Sequence, residues 1–250
     1  YFIRLAKVVV SGISYLSYLL KSYVFHESGT LVSGIIGGLY SSTATISVLA
    51  RKSRKASEQE ATDYVAAMLL AVSMMFLRFM ILILIFSREI FLSIYPYLLT
   101  MAVVAAIVAW FIHSRQKRPE GQSAETEEDD SSNPLEFKVA LIFAILFVIF
   151  TFLTHYTLVY AGTGGLNLLS FVSGFSDITP FILNLLQNTG SVAALIITAC
   201  SMQAIISNIM VNMFYALFFA GKGSKLRPWI LGGFGVVIVC NLVLLLFFYI

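Results

Sequence analysis

Apolar runs of bilayer-spanning length, roughly 20 residues each, alternate along the chain with short clusters of charge. The runs lack the in-and-out alternation of a membrane barrel strand and are too long for one, so they predict helices whose backbone amides are satisfied internally. The first expected span covers Leu5 to Val24 and ends in a polar turn at His26, Glu27 and Gly29. The second begins near Leu31 and stops at Arg51, Lys52, Arg54 and Lys55. A third runs from Tyr64 to Phe86 and a fourth from Ile90 to Ile112, closed by His113, Arg115, Lys117 and Arg118. Residues 119–136 interrupt the pattern with an acid-rich stretch of Gly, Ser, Pro and Asn, the composition of a flexible linker. The chain re-enters near Phe137, leaves near Tyr160 and turns through Gly162, Gly164 and Gly165. A sixth span reaches about Leu186, a seventh runs from Ser191 to Ala220, and the last from Trp229 to Tyr249. The expected fold is an all-α integral membrane protein of about eight transmembrane helices, in two related four-helix halves at 1–118 and 137–250 joined by the linker.

Composition agrees with that pattern: 59% of the 250 residues are hydrophobic, 12% are charged, and the mean hydropathy is +0.89. A chain this apolar needs lipid as its solvent, so the bilayer is its first partner. The net charge of +3 comes from basic residues beside the spans, with no broad basic face interleaved with aromatics, which argues against nucleic-acid binding. Cys200 and Cys240 lie in apolar segments without metal-ligand spacing and read as buried free thiols. No cleavage pattern of small residues follows the first apolar run, so no removable signal peptide is expected. The positive-inside rule sets the cluster from Arg51 to Lys55, the amino terminus and the linker on the cytoplasmic side. That arrangement leaves Lys222, Lys225 and Arg227 outside, unless the sixth segment is broken or re-entrant.

Self-similarity adds the most. Setting Gly38 against Gly174 pairs Ser41 with Asp177, Thr43 with Thr179 and Ile46 with Ile182; Arg78 against Asn212 pairs Ser73 with Ser207. Duplicated halves with glycine-interrupted polar segments at matching positions are how many transporters build a midplane site at the repeat interface. The plainer reading is that Gly34, Gly37, Gly38 and Gly174 serve close helix packing.

Chemistry concentrates at two residues. Of thirteen acidic residues only Asp177 lies well inside a span, and of sixteen Lys and Arg only Arg78 does. A charge at the bilayer centre is unfavourable by about 3 kcal/mol on insertion scales, so each needs a partner, a water-filled cavity or a task. If the halves converge, Arg78 and Asp177 neutralise each other as a structural pair. Hydroxyls at Ser41, Ser42, Thr43, Thr45, Ser176 and Thr179, amides at Asn208 and Asn212, and carbonyls freed near Pro180 offer neutral oxygens. Such oxygens with one carboxylate suit a hard cation, with Asp177 as the metal-ligating candidate; a monovalent cation or proton fits equally, and Arg78 favours an anion at the same place. His26, His113 and His155 lack the spacing of a metal cage, and no nucleophile elbow, phosphate loop or zinc-protease motif occurs, so no enzyme is expected.

The stretches GGLYSSTATISVLARKS (37–53), MFLRFMILI (75–83), NPLEFK (133–138) and SGFSDITPFILNLL (173–186) carry a resemblance. The chain resembles the uncharacterised bacterial polytopic membrane domain family found alongside MgtC/SapB-type magnesium-transport proteins. That resemblance covers essentially the whole chain. It implies the bacterial cytoplasmic (inner) membrane, an MgtC-like domain or subunit as a partner, and Mg2+ as one candidate ion. The family pattern has a second acidic residue where this chain has Thr179 and often a basic one where it has Asn212. Taken together, the sequence points to a transporter or channel for a small inorganic ion, a cation being favoured, with that ion as the only expected bound group. The alternative is a non-transporting membrane subunit whose buried polar residues hold helices or a homo-oligomer together.

Overall fold

The structure, a computed structural model, describes residues 29–54, 56, 58–115, 135–187, 192–221 and 226–249. The expected first span, the amino terminus, His26, nearly all of the acidic linker, Lys222 and Lys225 lie outside the described residues. Seven α-helices make up the described chain, and no strand occurs among them. They are α1 (Thr30–Lys52), α2 (Glu58–Phe86), α3 (Arg88–Ser114), α4 (Leu135–Ser173), α5 (Ile178–Gln187), α6 (Ala194–Ala220) and α7 (Arg227–Tyr249). Five stretches are long and apolar enough to cross a membrane: α1, Thr62–Phe86 within α2, α3, α6 and Arg227–Phe247 within α7. Many large apolar side chains, Leu92, Ile107, Trp110, Phe152 and Phe214 among them, are exposed on the outside of the bundle, the kind of extended apolar surface that lipid covers.

The helix pair α2 and α3 is antiparallel. Ser87, in extended conformation at φ −155° and ψ 105°, separates the two helices, and its hydroxyl accepts from the Ile90 amide at 3.3 Å. Ser73 Oγ donates to the Ala102 carbonyl at 2.8 Å, and His113 Nδ1 meets Asp63 Oδ1 at 2.6 Å where α2 begins and α3 ends.

One expected crossing differs from the structure. At Ser41 (φ −157°, ψ 107°) α1 leaves the helical conformation and folds back on itself. A Cβ placed on Gly37 would stand 2.5 Å from Thr45 Oγ1, whereas residues eight apart in one straight helix are separated by about 12 Å. The arm before Ser41 runs in the same direction as α2: Gly34 rests on the backbone of Ala67, and a Cβ on Gly38 would lie 2.5 Å from Ala71 Cα. The arm after Ser41 returns to the end where α2 starts, reaching Lys52 a few residues before Glu58. There Arg54 donates through Nη2 to the Phe218 carbonyl at 3.2 Å and through Nε to that of Phe219, at the carboxyl end of α6. The Arg51 guanidinium lies 4.3 Å from the Phe219 ring centroid. Arg54 thereby fills carbonyls that a helix end leaves unsatisfied. Arg54→Ala is expected to lower unfolding stability in detergent by about 0.5–1 kcal/mol, the scale of an exposed charge contact; thermal unfolding at low and high salt measures it.

The segment from α4 to α6 also doubles back. Gly162, at φ 57° and ψ −148°, breaks α4 with a left-handed φ open to glycine. From Gly164 to Ser173 the chain runs parallel to α6, because Cys200 Sγ donates to Asn167 Oδ1 at 3.4 Å and Ser207 Oγ to the Phe171 carbonyl at 2.7 Å. Residues 174–177 leave the helix, and α5 retraces the path to Gln187, shortly before α6 starts at Ala194. α5 is held on α4 by Asn184 Nδ2 donating to Thr151 Oγ1 at 2.8 Å and by Phe150 and Phe181, with ring centroids 5.5 Å apart. The expected sixth span is therefore two short apolar helices, Gly164–Ser173 and Ile178–Gln187. α7 closes the bundle against α2 and α3, with Gly233 beside Leu69 and Ile112 and Tyr97 hydrogen-bonded to Asn241.

Candidate functional site

Two chain breaks meet at one side chain. Extended geometry at Ser41 ends the first arm of α1 at Tyr40, freeing a carbonyl from helical bonding. Arg78 Nη1 donates to that carbonyl at 2.7 Å, and its Nη2 donates to Thr179 Oγ1 in the first turn of α5. One guanidinium, half-buried on α2, thus joins the tips of both folded-back segments.

Asp177 caps the second break: its Oδ1 accepts from the Thr179 amide at 2.9 Å, while the residue itself is exposed. Ser41 caps the first, its Oγ accepting from the Ala44 amide at 3.3 Å. The alignment of Ser41 with Asp177 therefore pairs two residues with one local task. Asp177 is not in ion-pair contact with Arg78; Thr179 stands between them, bonded to both. The directly neutralised pair that the sequence allows is absent among the described residues because the arginine reaches the hydroxyl instead.

Three of the other nominated side chains, Ser176, Asn208 and Asn212, have hydrogen-bond partners among the described residues. Ser176 Oγ donates to the Ser173 carbonyl at 3.1 Å, and the Thr43 carbonyl accepts from Ser47 Oγ at 2.8 Å. Asn208 Nδ2 donates to the Gly174 carbonyl at 3.2 Å, and Asn212 Nδ2 to Asn208 Oδ1 at 3.1 Å. Asn212 Oδ1 is buried with no partner. Ser42 is buried near the first tip, and Thr45 is half-buried against Gly37. Pro180 sits in the first turn of α5, where its missing N–H leaves no helical bond unmade. The break carbonyls are used differently from the expectation: Tyr40 O goes to Arg78 and Gly174 O to Asn208.

Gly34, Gly37, Gly38 and Gly174 all stand where an added Cβ would collide, Gly174 with the Ser207 side chain and the Asn208 amide. Gly38 on Ala71 and Gly174 on Ser207 share one offset, so packing sets Ala71 against Ser207. The sequence pairing of Ser73 with Ser207, and of Arg78 with Asn212, is shifted from this by two residues. Three polar contacts escaped the sequence reading: the Tyr40 carbonyl, Thr151 with Asn184, and Tyr97 with Asn241. A polar residue inside an apolar run was the only available signal for the last two.

Residues 8–220 match a family model described as "Domain of unknown function (DUF4010)". The chain belongs to this family. The DUF4010 match takes in Arg78, Asp177 and both folded-back segments. An "Uncharacterized protein" from Aquifex aeolicus (strain VF5) is 25% identical over 227 residues, covering 88% of this chain and 96% of that protein. No solved structure matches.

Proposed function

We propose that this DUF4010 protein is a transporter or channel for a small inorganic ion, with no enzymatic activity, working in the bacterial cytoplasmic membrane. In this reading the chain is two related halves of opposite orientation. The doubled-back α1 dips in from one face, the pair Gly164–Ser173 and Ile178–Gln187 dips in from the other, and their tips meet near the midplane. Support comes from direction: the first arm of each hairpin runs parallel to the long helix it packs on, α2 or α6, while the Arg54 contact brings the start of α2 beside the end of α6. Half-membrane hairpins of opposite sense whose irregular tips line a polar site are a transporter architecture.

The observation that carries the proposal is the shared guanidinium, Arg78 on the Tyr40 carbonyl and the Thr179 hydroxyl. A charge at that depth has a function by default. Arg51, Lys52, Arg54, Arg115 and Arg227 gather at one end of the bundle, which the positive-inside rule makes cytoplasmic. The orientation problem of Arg227 disappears once the sixth segment is re-entrant. An MgtC-like partner and a role for Mg2+ rest on the sequence resemblance alone.

The same bonds favour a second reading. A guanidinium that staples two tips together is also what a non-transporting scaffold or oligomer subunit needs. Cysteine probing separates the two. With Cys200 and Cys240 replaced by serine, Thr43→Cys and Ser176→Cys proteins in proteoliposomes are expected to conduct ions and to lose most of that flux on treatment with a membrane-impermeant thiosulfonate. Folded, monodisperse protein that never raises flux above protein-free vesicles supports the scaffold.

A further inference from the structure

We infer that the ion this site takes is an inorganic anion, held on the guanidinium of Arg78; the inference rests on the pathway reading above and names its substrate class. Donors outnumber free acceptors at the two tips. A cation site needs several oxygens free to turn toward the ion. Here Tyr40 O already accepts from Arg78, Gly174 O from Asn208, Ser41 Oγ from the Ala44 amide and Asp177 Oδ1 from the Thr179 amide. What remains near the tips is Asn212 Oδ1, buried with no partner one turn beyond Asn208, the hydroxyls of Ser42, Thr43 and Thr45, and the second oxygen of the exposed Asp177 carboxylate, which is one negative charge for the whole set. Among the described residues no group of three or more His, Cys, Asp or Glu could hold a metal ion.

Donors are in surplus. A guanidinium carries five N–H groups in a fixed fork suited to oxyanions and halides. Those of Arg78 meet a carbonyl and a hydroxyl, both neutral, so its positive charge has no carboxylate in contact. Two helices also begin at the tips, the returning arm of α1 after Ser41 and α5 at Ile178, and both turn their positive dipole ends toward the same region. The three sources add. Asp177, kept one residue away by Thr179, lowers the affinity for an anion without filling its place, and a permeating ion must bind weakly enough to leave.

The test uses full-length protein in vesicles loaded with sodium, potassium and magnesium salts of chloride, nitrate, phosphate and sulfate, with every ion in the efflux quantified by ion chromatography. At least one anion is expected to leave faster than from protein-free vesicles. Arg78→Gln is expected to reduce that efflux at least tenfold and Arg78→Lys to retain part of it. Efflux confined to cations overturns the anion assignment and leaves the pathway standing. No efflux of any ion removes the pathway, and the assignment with it. Anion efflux unchanged in Arg78→Gln overturns the role of the guanidinium. If Arg78→Gln does not fold, ion identity in the wild-type protein still decides the sign.

Discussion

Gly38→Val is expected to destabilise the protein by about 3 kcal/mol, and Gly38→Ala by about 2 kcal/mol, the range for overpacking a site that cannot yield. The reason is what the new atoms would meet. Even a bare Cβ on Gly38 falls 2.5 Å from Ala71 Cα and 2.7 Å from its carbonyl oxygen, and those are backbone atoms in the middle of a long helix. A flexible side chain could swing away; the axis of α2 would have to move. The clash acts on the first arm of α1, so the tip at Tyr40 and Ser41 would be pushed off Arg78 and flux should fall along with stability. Gly232→Ala is the control, since nothing lies within 4 Å of its added Cβ and the methyl improves helix propensity. With the half-buried Cys240 replaced by serine, buried Cys200 supplies a readout: a thiol-reactive dye should label it at a lower temperature in the Gly38 variants and at an unchanged or higher one in Gly232→Ala. Equal melting of Gly38→Val and wild type would mean that the first arm does not pack on α2.

A glycine-led polar run marks each break, and a broken or re-entrant sixth segment was open from the charge pattern, whereas the fold-back of the second span at Ser41 was not legible. Aligning Gly38 with Gly174 put Ser41 opposite Asp177, and both prove to be residues where a helix stops and its successor is capped. Small polar residues at a break compete for backbone bonds, which is the physical content of that signal. Hydropathy has no sense of direction, however. Thr30–Lys52 has the length and apolarity of a crossing whether it runs straight or folds at Ser41, so counting apolar runs takes a hairpin for a span. The direction emerges from contacts, such as Gly37 against Thr45, that depend on distance in space.

Side-chain register was harder still. Ser73 and Ser207 look equivalent as letters, yet Ser73 bonds the Ala102 carbonyl on α3 and Ser207 the Phe171 carbonyl in the second hairpin. Glycine packing moves the register by two and takes Asn212 away from the place of Arg78. The energetics of charge in hydrocarbon single out Arg78 and Asp177, two residues that share Thr179; where convergence of the halves allowed a direct ion pair, there is a bridge through that residue.

The same energetics predicts the behaviour of a polar pair that no local pattern marks. Tyr97 on α3 donates its hydroxyl to Asn241 Oδ1 on α7; both residues are buried, and Asn241 Nδ2 is spent on the Val237 carbonyl. Tyr97→Phe removes the donor and leaves the amide oxygen unmatched in an apolar interior, so a loss of about 1–2 kcal/mol is expected. Asn241→Leu alone strands the tyrosine hydroxyl and should lose a similar amount. The double variant strands nothing. Because the penalty belongs to unmatched polar groups rather than to the missing bond, the double variant should be more stable than the sum of the single losses by about 1 kcal/mol. Thermal unfolding of the four proteins in one detergent measures this coupling. Strict additivity would mean that the two side chains do not meet and that α7 packs on α3 in some other register.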